Sequence, residues 1–159
     1  VDLGTDVLEI GPGFGVTTEL LLKPGRRLTC VEIDDSLAAA LERRFAGEAV
    51  HVLRGDATRL SFPDASFDSV ACFTMLHHVP GAGSQDRLLA EAFRVLRPGG
   101  RLVGMDSIGS ALFRMVHVGD TMCLVDPATF AQRLCAVGFD DVRVEALRSS
   151  FRFGGRRPG

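Results

Sequence analysis

The chain contains no tryptophan and no tyrosine. Any oxidoreductase chemistry would have to proceed without a tyrosine as its proton donor, which counts against nicotinamide-dependent hydride transfer. Cys30, Cys72, Cys123 and Cys135 form no Cys-x-x-Cys pair, so no metal site is expected. Their apolar contexts suit small buried thiols and a reduced, cytoplasmic setting. There is no excess of one charge either. Eighteen basic residues face twenty acidic ones, a net charge of −2, which gives no electrostatic footprint for nucleic acid. No apolar run approaches the roughly 20 residues of a membrane span, and no signal peptide is visible. Repeats, low-complexity tracts and linkers are absent as well.

What is present is a chain of 159 residues, 46% hydrophobic, suited to one domain with a sizeable core. Its most informative stretch is Val7-Leu8-Glu9-Ile10-Gly11-Pro12-Gly13-Phe14-Gly15. The apolar run reads as a buried strand. Glycines directly behind a strand allow a sharp turn and let a ligand approach the main chain closely. A phosphate-cradling loop needs a Lys followed by Ser or Thr after its last glycine; Gly15 is followed by Val16 and Thr17. A dinucleotide loop needs a third glycine or alanine where Val16 stands. Gly-x-Gly-x-Gly behind an acid is the third option.

Strand and helix patterns alternate along the rest. Strands are expected at Asp6 to Ile10, Arg27 to Ile33, Ala49 to Leu53, Phe67 to Phe73 and Arg101 to Met105. Val142 to Leu147 and Ser150 to Phe153 read as a closing pair. Helices are expected at Val16 to Lys23 and from Asp35 or Ser36 to Phe45. A third opens at Ser84 or Asp86, carries Leu88, Leu89, Ala92, Phe93 and Leu96 on one face, and breaks at Pro98-Gly99-Gly100. A fourth begins with Asp126 as cap and Pro127 in the first turn, and stops at Gly138. This alternation implies an α/β doubly wound sheet with helices on both faces. Residues 107 to 125 follow the fifth strand at the carboxyl edge, where open α/β sheets bind ligands, and read as a lid or acceptor loop.

Four further stations follow the glycine loop. Glu32 ends the second strand about 20 residues on, where an acid meets ribose hydroxyls; a carboxylate can accept two hydrogen bonds from a diol. Asp34 and Asp35 read as helix caps. Gly55-Asp56-Ala57 follows the third strand, with Asp56 suited to an exocyclic amine and the Ala57 N–H to a ring nitrogen. The fourth strand leads through Phe73-Thr74-Met75-Leu76 into His77-His78-Val79. Arg97-Pro98-Gly99-Gly100-Arg101 then reads as a helix stop and strand entry.

In this order the segments resemble the class I S-adenosylmethionine-dependent methyltransferases over about Val7 to Phe153. Leu60-Ser61-Phe62-Pro63-Asp64-Ala65-Ser66-Phe67-Asp68 with Leu76-His77-His78-Val79 resembles the branch that includes quinone-biosynthesis and other small-molecule methyltransferases. The resemblance implies a Rossmann-like sheet of seven strands, order 3-2-1-4-5-7-6, with strand seven antiparallel. It implies one S-adenosylmethionine-binding domain over residues 1–159, without the covering helix that family members carry before strand one. It assigns Glu9, Gly11, Gly13 and Gly15 to the methionine end of the cofactor, Glu32 to the ribose and Ile33 to the adenine face. Asp56 and Ala57 take the adenine edge, and the backbone of Phe73 or Thr74 lies near the amino group.

The loop after strand four lacks the Asn/Asp-Pro-Pro-Tyr pattern that marks methylation of exocyclic base amines, so a small-molecule acceptor is expected and nucleic acid is not. His77 and His78 are the candidate general bases, needed only if the acceptor loses a proton. Asp106 and His117 are loop groups that can face the acceptor, and Phe113, Met115, Val116 and Met122 can line an apolar pocket. Arg148, Arg152, Arg156 and Arg157 give the chain end a basic look that solvated strands and a frayed tail would explain. Two other classes stay open: a nicotinamide-dependent oxidoreductase using Glu32, and a cofactor-binding scaffold without activity.

Overall fold

The computed structural model describes residues 2–108 and 123–159. The expectations that rest on Phe113, Met115, Val116, His117 and Met122, and most of the 107–125 loop, lie outside the described residues. Seven strands form one sheet in the order β3-β2-β1-β4-β5-β7-β6. They are β1 (Asp6–Ile10), β2 (Arg27–Glu32), β3 (Val50–Arg54), β4 (Phe67–Phe73), β5 (Leu96–Ser107), β6 (Asp140–Ala146) and β7 (Ser150–Arg156). β1 to β5 pair in parallel, and β7 runs antiparallel to both β5 and β6. The expected fold class and strand order are therefore observed.

Side-chain alternation along β1 sorts the core into two layers. Val7 packs with Leu28, Cys30, Leu41 and Phe45 under α1 (Val16–Leu21) and α2 (Asp35–Arg44). Leu8 and Ile10 pack on the other face with Leu88, Leu89 and Ala92 of α3 (Ala82–Val95) and Phe130 and Leu134 of α4 (Pro127–Val137). Phe130 meets Phe151 and Phe153 edge-on, at 5.6 and 5.0 Å between ring centroids, the arrangement that aromatic quadrupoles favour.

Local chemistry explains the helix ends. Asp34, not Asp35 or Ser36, caps α2 by accepting from the N–H groups of Ser36 and Leu37 at 2.8 and 3.0 Å. Asp126 caps α4 by accepting from Ala128 N–H at 3.0 Å, and Gly138 closes it with φ of 116°, as the cap rules require. α3 starts at Ala82 behind Gly81, ahead of Ser84 and Asp86. It also stops before Pro98, because Leu96 already pairs with Phe67 as the first residue of β5. The Pro98-Gly99-Gly100 run is thus a bulge within β5: Leu96 to Arg101 stands opposite only Phe67 to Ser69, and the surplus residues arch out of the ladder. The chain end is ordered in the same way. Arg157 donates to the carbonyls of Phe93, Arg94 and Leu96 at the end of α3, and Arg152 pairs with Glu145.

Candidate functional site

The strand order reverses direction at β1 and β4, and the carboxyl ends of the parallel strands gather the glycine loop, Glu32, Asp56, Thr74 to His78 and Asp106 along one edge. The three glycines of the loop all have positive φ, +63° at Gly11, +55° at Gly13 and +79° at Gly15, but differ in what surrounds them. A Cβ on Gly11 would stand 2.9 Å from Cβ of Met75, and one on Gly15 would stand 2.7 Å from a Leu41 methyl. Those two glycines serve packing within the chain. A Cβ on Gly13 would meet nothing within 4 Å. Phe14, the next residue, is 78% exposed, and Ile33, just past β2, is 70% exposed.

Glu32 fixes the loop from β2. One carboxylate oxygen accepts from Gly13 N–H at 3.1 Å; the other accepts from Ile33 and Asp34 N–H at 2.9 and 3.0 Å. Gly11 N–H donates to Val31 O at 2.9 Å. Glu9 lies beneath, fully buried. Its carboxylate accepts from the hydroxyls of Thr17 and Thr18, so it anchors the start of α1. Burial pushes the Glu9 carboxyl above its ordinary range, against the lowering effect of those hydroxyls and the Cys30 thiol. Asp56 is exposed and accepts from Thr58 N–H and Oγ1, both at 2.8 Å; those bonds hold its carboxyl below the ordinary range. Ala57 beside it is half-buried, as is Phe73 at the end of β4.

Thr74 is exposed with φ of +51°, a genuine outlier for a β-branched residue. Its N–H donates to Met105 O at 2.7 Å, which pins the strained backbone between β4 and β5. Backbone strain of this kind clusters at functional sites. Thr74→Asn, with a side chain that tolerates left-handed backbone, is expected to raise stability by about 1 kcal/mol. A higher urea midpoint at unchanged slope is the check.

The two histidines part company in the 3-10 turn Leu76–His78. His78 is exposed, whereas His77 is buried. The rings lie 4.1 Å apart at 42°. Nδ1 of His77 stands 2.5 Å from Oδ1 of Asp106, and its N–H donates to Oδ2 at 3.2 Å. Gln85, which the sequence pattern does not single out, also braces this turn. It is buried, and its amide donates to Leu76 O at 3.0 Å and to Cys123 O at 2.7 Å, while Arg133 donates to its oxygen at 3.0 Å. The signal for it was a polar residue three positions ahead of Leu88 on the apolar stripe of α3. Among the described residues no group of His, Cys, Asp and Glu is placed to hold a metal ion.

With this geometry in hand, comparison with known proteins places the chain. The family described as methyltransferase domain matches residues 8–104, from β1 into β5. The chain belongs to that methyltransferase domain family. A probable S-adenosylmethionine-dependent methyltransferase of Mycolicibacterium smegmatis is 36% identical over 97 residues, 61% of this chain and 36% of that protein. The ubiquinone/menaquinone biosynthesis C-methyltransferase UbiE of Desulfotalea psychrophila is 33% identical over 103 residues, 64% of this chain and 41% of that one. The chain thus spans well under half the length of these curated relatives. A solved phosphoethanolamine N-methyltransferase 2 of Haemonchus contortus, in complex with S-adenosyl-L-methionine, shares the fold at a TM-score of 0.84. It is 18% identical, and the match covers all of this chain and 50% of that one. Among the described residues no helix of this methyltransferase domain is long and apolar enough to cross a membrane.

Proposed function

We propose that this domain binds S-adenosylmethionine along the carboxyl edge of its sheet and transfers the methyl group to a small-molecule acceptor. The observation that carries the reading is Gly13. Its left-handed backbone, the open space where a Cβ would stand and the carboxylate behind its N–H fit a site built to let a ligand touch main chain. Gly11 and Gly15 hold that cradle in shape by packing on Met75 and Leu41, and Glu9 supports it from beneath through Thr17 and Thr18.

In this reading the methionine half lies over Gly13, the backbone of Phe73 or Thr74 takes the amino group, and Glu32 receives the ribose hydroxyls. Ile33 covers one face of the adenine, with Asp56 and Ala57 at its edge. Bound there, S-adenosylmethionine supplies an electrophilic methyl on a cationic sulfur. The protein's part is chiefly alignment of the acceptor, the effect that makes bimolecular steps effectively unimolecular. His77 and His78, in the turn after β4, are the candidate bases in this reading, needed only where the acceptor loses a proton. A small acceptor is supported by the menaquinone-type relative and by the Phe73-Thr74-Met75-Leu76 sequence after β4. Four free cysteines support a reducing, cytoplasmic setting.

Glu32 tests the cofactor pose. Glu32→Ala removes a charge-assisted acceptor and is expected to weaken S-adenosylmethionine binding about tenfold, roughly 1.4 kcal/mol. Isothermal titration of both proteins measures it. Equal affinity would move the ribose contact away from β2.

A further inference from the structure

Glu9, Glu32 and Asp106 are buried, at 1%, 5% and 1% exposure, and no lysine or arginine is buried with them among the described residues. Each lies near the carboxyl end of its strand, on β1, β2 and β5. Asp106 faces His77. Glu9 and Glu32 have only neutral partners. Glu9 accepts from Thr17 Oγ1, from Thr18 Oγ1 at 2.6 Å and from the Cys30 thiol at 3.6 Å. Glu32 accepts from three backbone N–H groups, that of Gly13 among them.

Holding α1 does not call for a charge at Glu9. A glutamine could join the same two hydroxyls, accepting from one and donating to the other. A buried carboxylate without a cation is the costlier choice. Its charge reaches its neighbours. Burial first, then the charge of Glu9 and more weakly that of Glu32, push the Cys30 thiol well above its ordinary range. Burial, then the charges of Asp106 and Glu9, do the same to Cys72 on β4. The charged side chains of α1 and α2 are all exposed, with Glu19 paired to Arg44 and Asp35 to Arg54.

We infer that Glu9 sets the charge preference of the cofactor seat. Without touching the ligand, its buried carboxylate favours the sulfonium of S-adenosylmethionine over the neutral thioether of S-adenosylhomocysteine. The inference rests on the S-adenosylmethionine reading above. The two ligands share their amino, carboxyl, ribose and adenine groups, so they differ only in the methyl and the charge on sulfur. In the transfer, an electron pair of the acceptor forms the new bond to the methyl, and the methyl–sulfur pair stays on sulfur. The positive charge leaves with the methyl. The attraction to Glu9 ends with it, which favours release of the product.

Isothermal titration of the unaltered protein at about pH 7 is expected to give S-adenosylmethionine a Kd at least about tenfold below that of S-adenosylhomocysteine, the scale of one charge pair inside a protein. Glu9→Gln keeps a group that can bond both hydroxyls and removes the charge. It is expected to cut that preference at least about fivefold. The preference of the unaltered protein is also expected to fall between about pH 7 and about pH 5. Burial already raises the Glu9 carboxyl, and a nearby sulfonium lowers it. At acid pH S-adenosylmethionine must therefore displace a proton that the neutral product leaves in place. Glu9→Gln should lack this slope. A Glu9 that only holds α1 would leave the ratio of the two Kd values unmoved by the substitution and by pH. Equal affinity for the two ligands, or a ratio that Glu9→Gln does not change, would overturn the inference. If Glu9→Gln does not fold, the unaltered protein decides, and a ratio level across that pH range overturns the inference. Binding of neither ligand would instead strike the S-adenosylmethionine reading beneath it.

Discussion

Gly13→Val is expected to weaken S-adenosylmethionine binding at least about 100-fold, on the order of 3 kcal/mol, in a protein that still folds. The prediction follows from the contrast among the three loop glycines. Side chains at Gly11 or Gly15 would strike Met75 or Leu41, so substitution there disturbs the fold itself. A Cβ at Gly13 would meet nothing within 4 Å beyond its chain neighbours and enters the space assigned to the methionine half of the cofactor. The stability cost is that of a β-branched residue at φ of +55°, roughly 1–3 kcal/mol. Gly13→Ala strains the backbone less and is expected to lose affinity in the same direction. Calorimetry beside a thermal melt separates the two effects. A folded Gly13→Val with unchanged affinity would remove the loop from the cofactor site.

Asp68→Asn is expected to cost about 2 kcal/mol of stability near neutral pH, at the opposite edge of the sheet. Asp68 stands beside the β5 bulge and binds three segments together. Its Oδ2 accepts from Thr5 N–H at 3.0 Å, Thr5 Oγ1 at 3.1 Å and Asp6 N–H at 2.9 Å. Its Oδ1 stands 2.5 Å from Arg97 Nη1, which also reaches Asp6 at 3.0 Å. Burial alone would raise the Asp68 carboxyl; the bonds from Asp6, Arg97 and Thr5 outweigh it and bring it to about 2, from an ordinary 3.8. Because the folded value lies below the unfolded one, the stabilisation is present above about pH 4 and is lost as pH falls towards 2. Its side chain is 29% exposed, so solvent screens part of the effect. The melting temperature of Asp68→Asn should lie roughly 4–8 °C lower at pH 7, and the gap should close near pH 2. A gap independent of pH would mean that packing, not the charge, matters at this position.

The legible parts of the sequence were those whose signals are local. β1 and β4 have the bounds their apolar runs suggest, and α4 begins and ends where Asp126-Pro127 and Gly138 mark it. Features that depend on a partner elsewhere were not legible. Pro98-Gly99-Gly100 looks like a helix break, yet it is a bulge because β4 pairs on both sides of it. Asp106 and His77 are 29 residues apart in sequence; Asp106 reads as a loop group and His77 as a candidate base, and only the adjacency of β4 and β5 joins them. Glu9 is similar. Its place before the glycines is visible in sequence, but its binding to Thr17 and Thr18 depends on how α1 folds back over β1.

The central claim is that the Gly13 cradle and Glu32 form the seat of a sulfonium nucleoside rather than a dinucleotide. Isothermal titration of the unaltered protein with S-adenosylmethionine, S-adenosylhomocysteine and NAD tests it most directly. Saturable one-site binding of the first two, with no heat from NAD, is the predicted result. Saturable binding of NAD, with none of S-adenosylmethionine or S-adenosylhomocysteine, would contradict it.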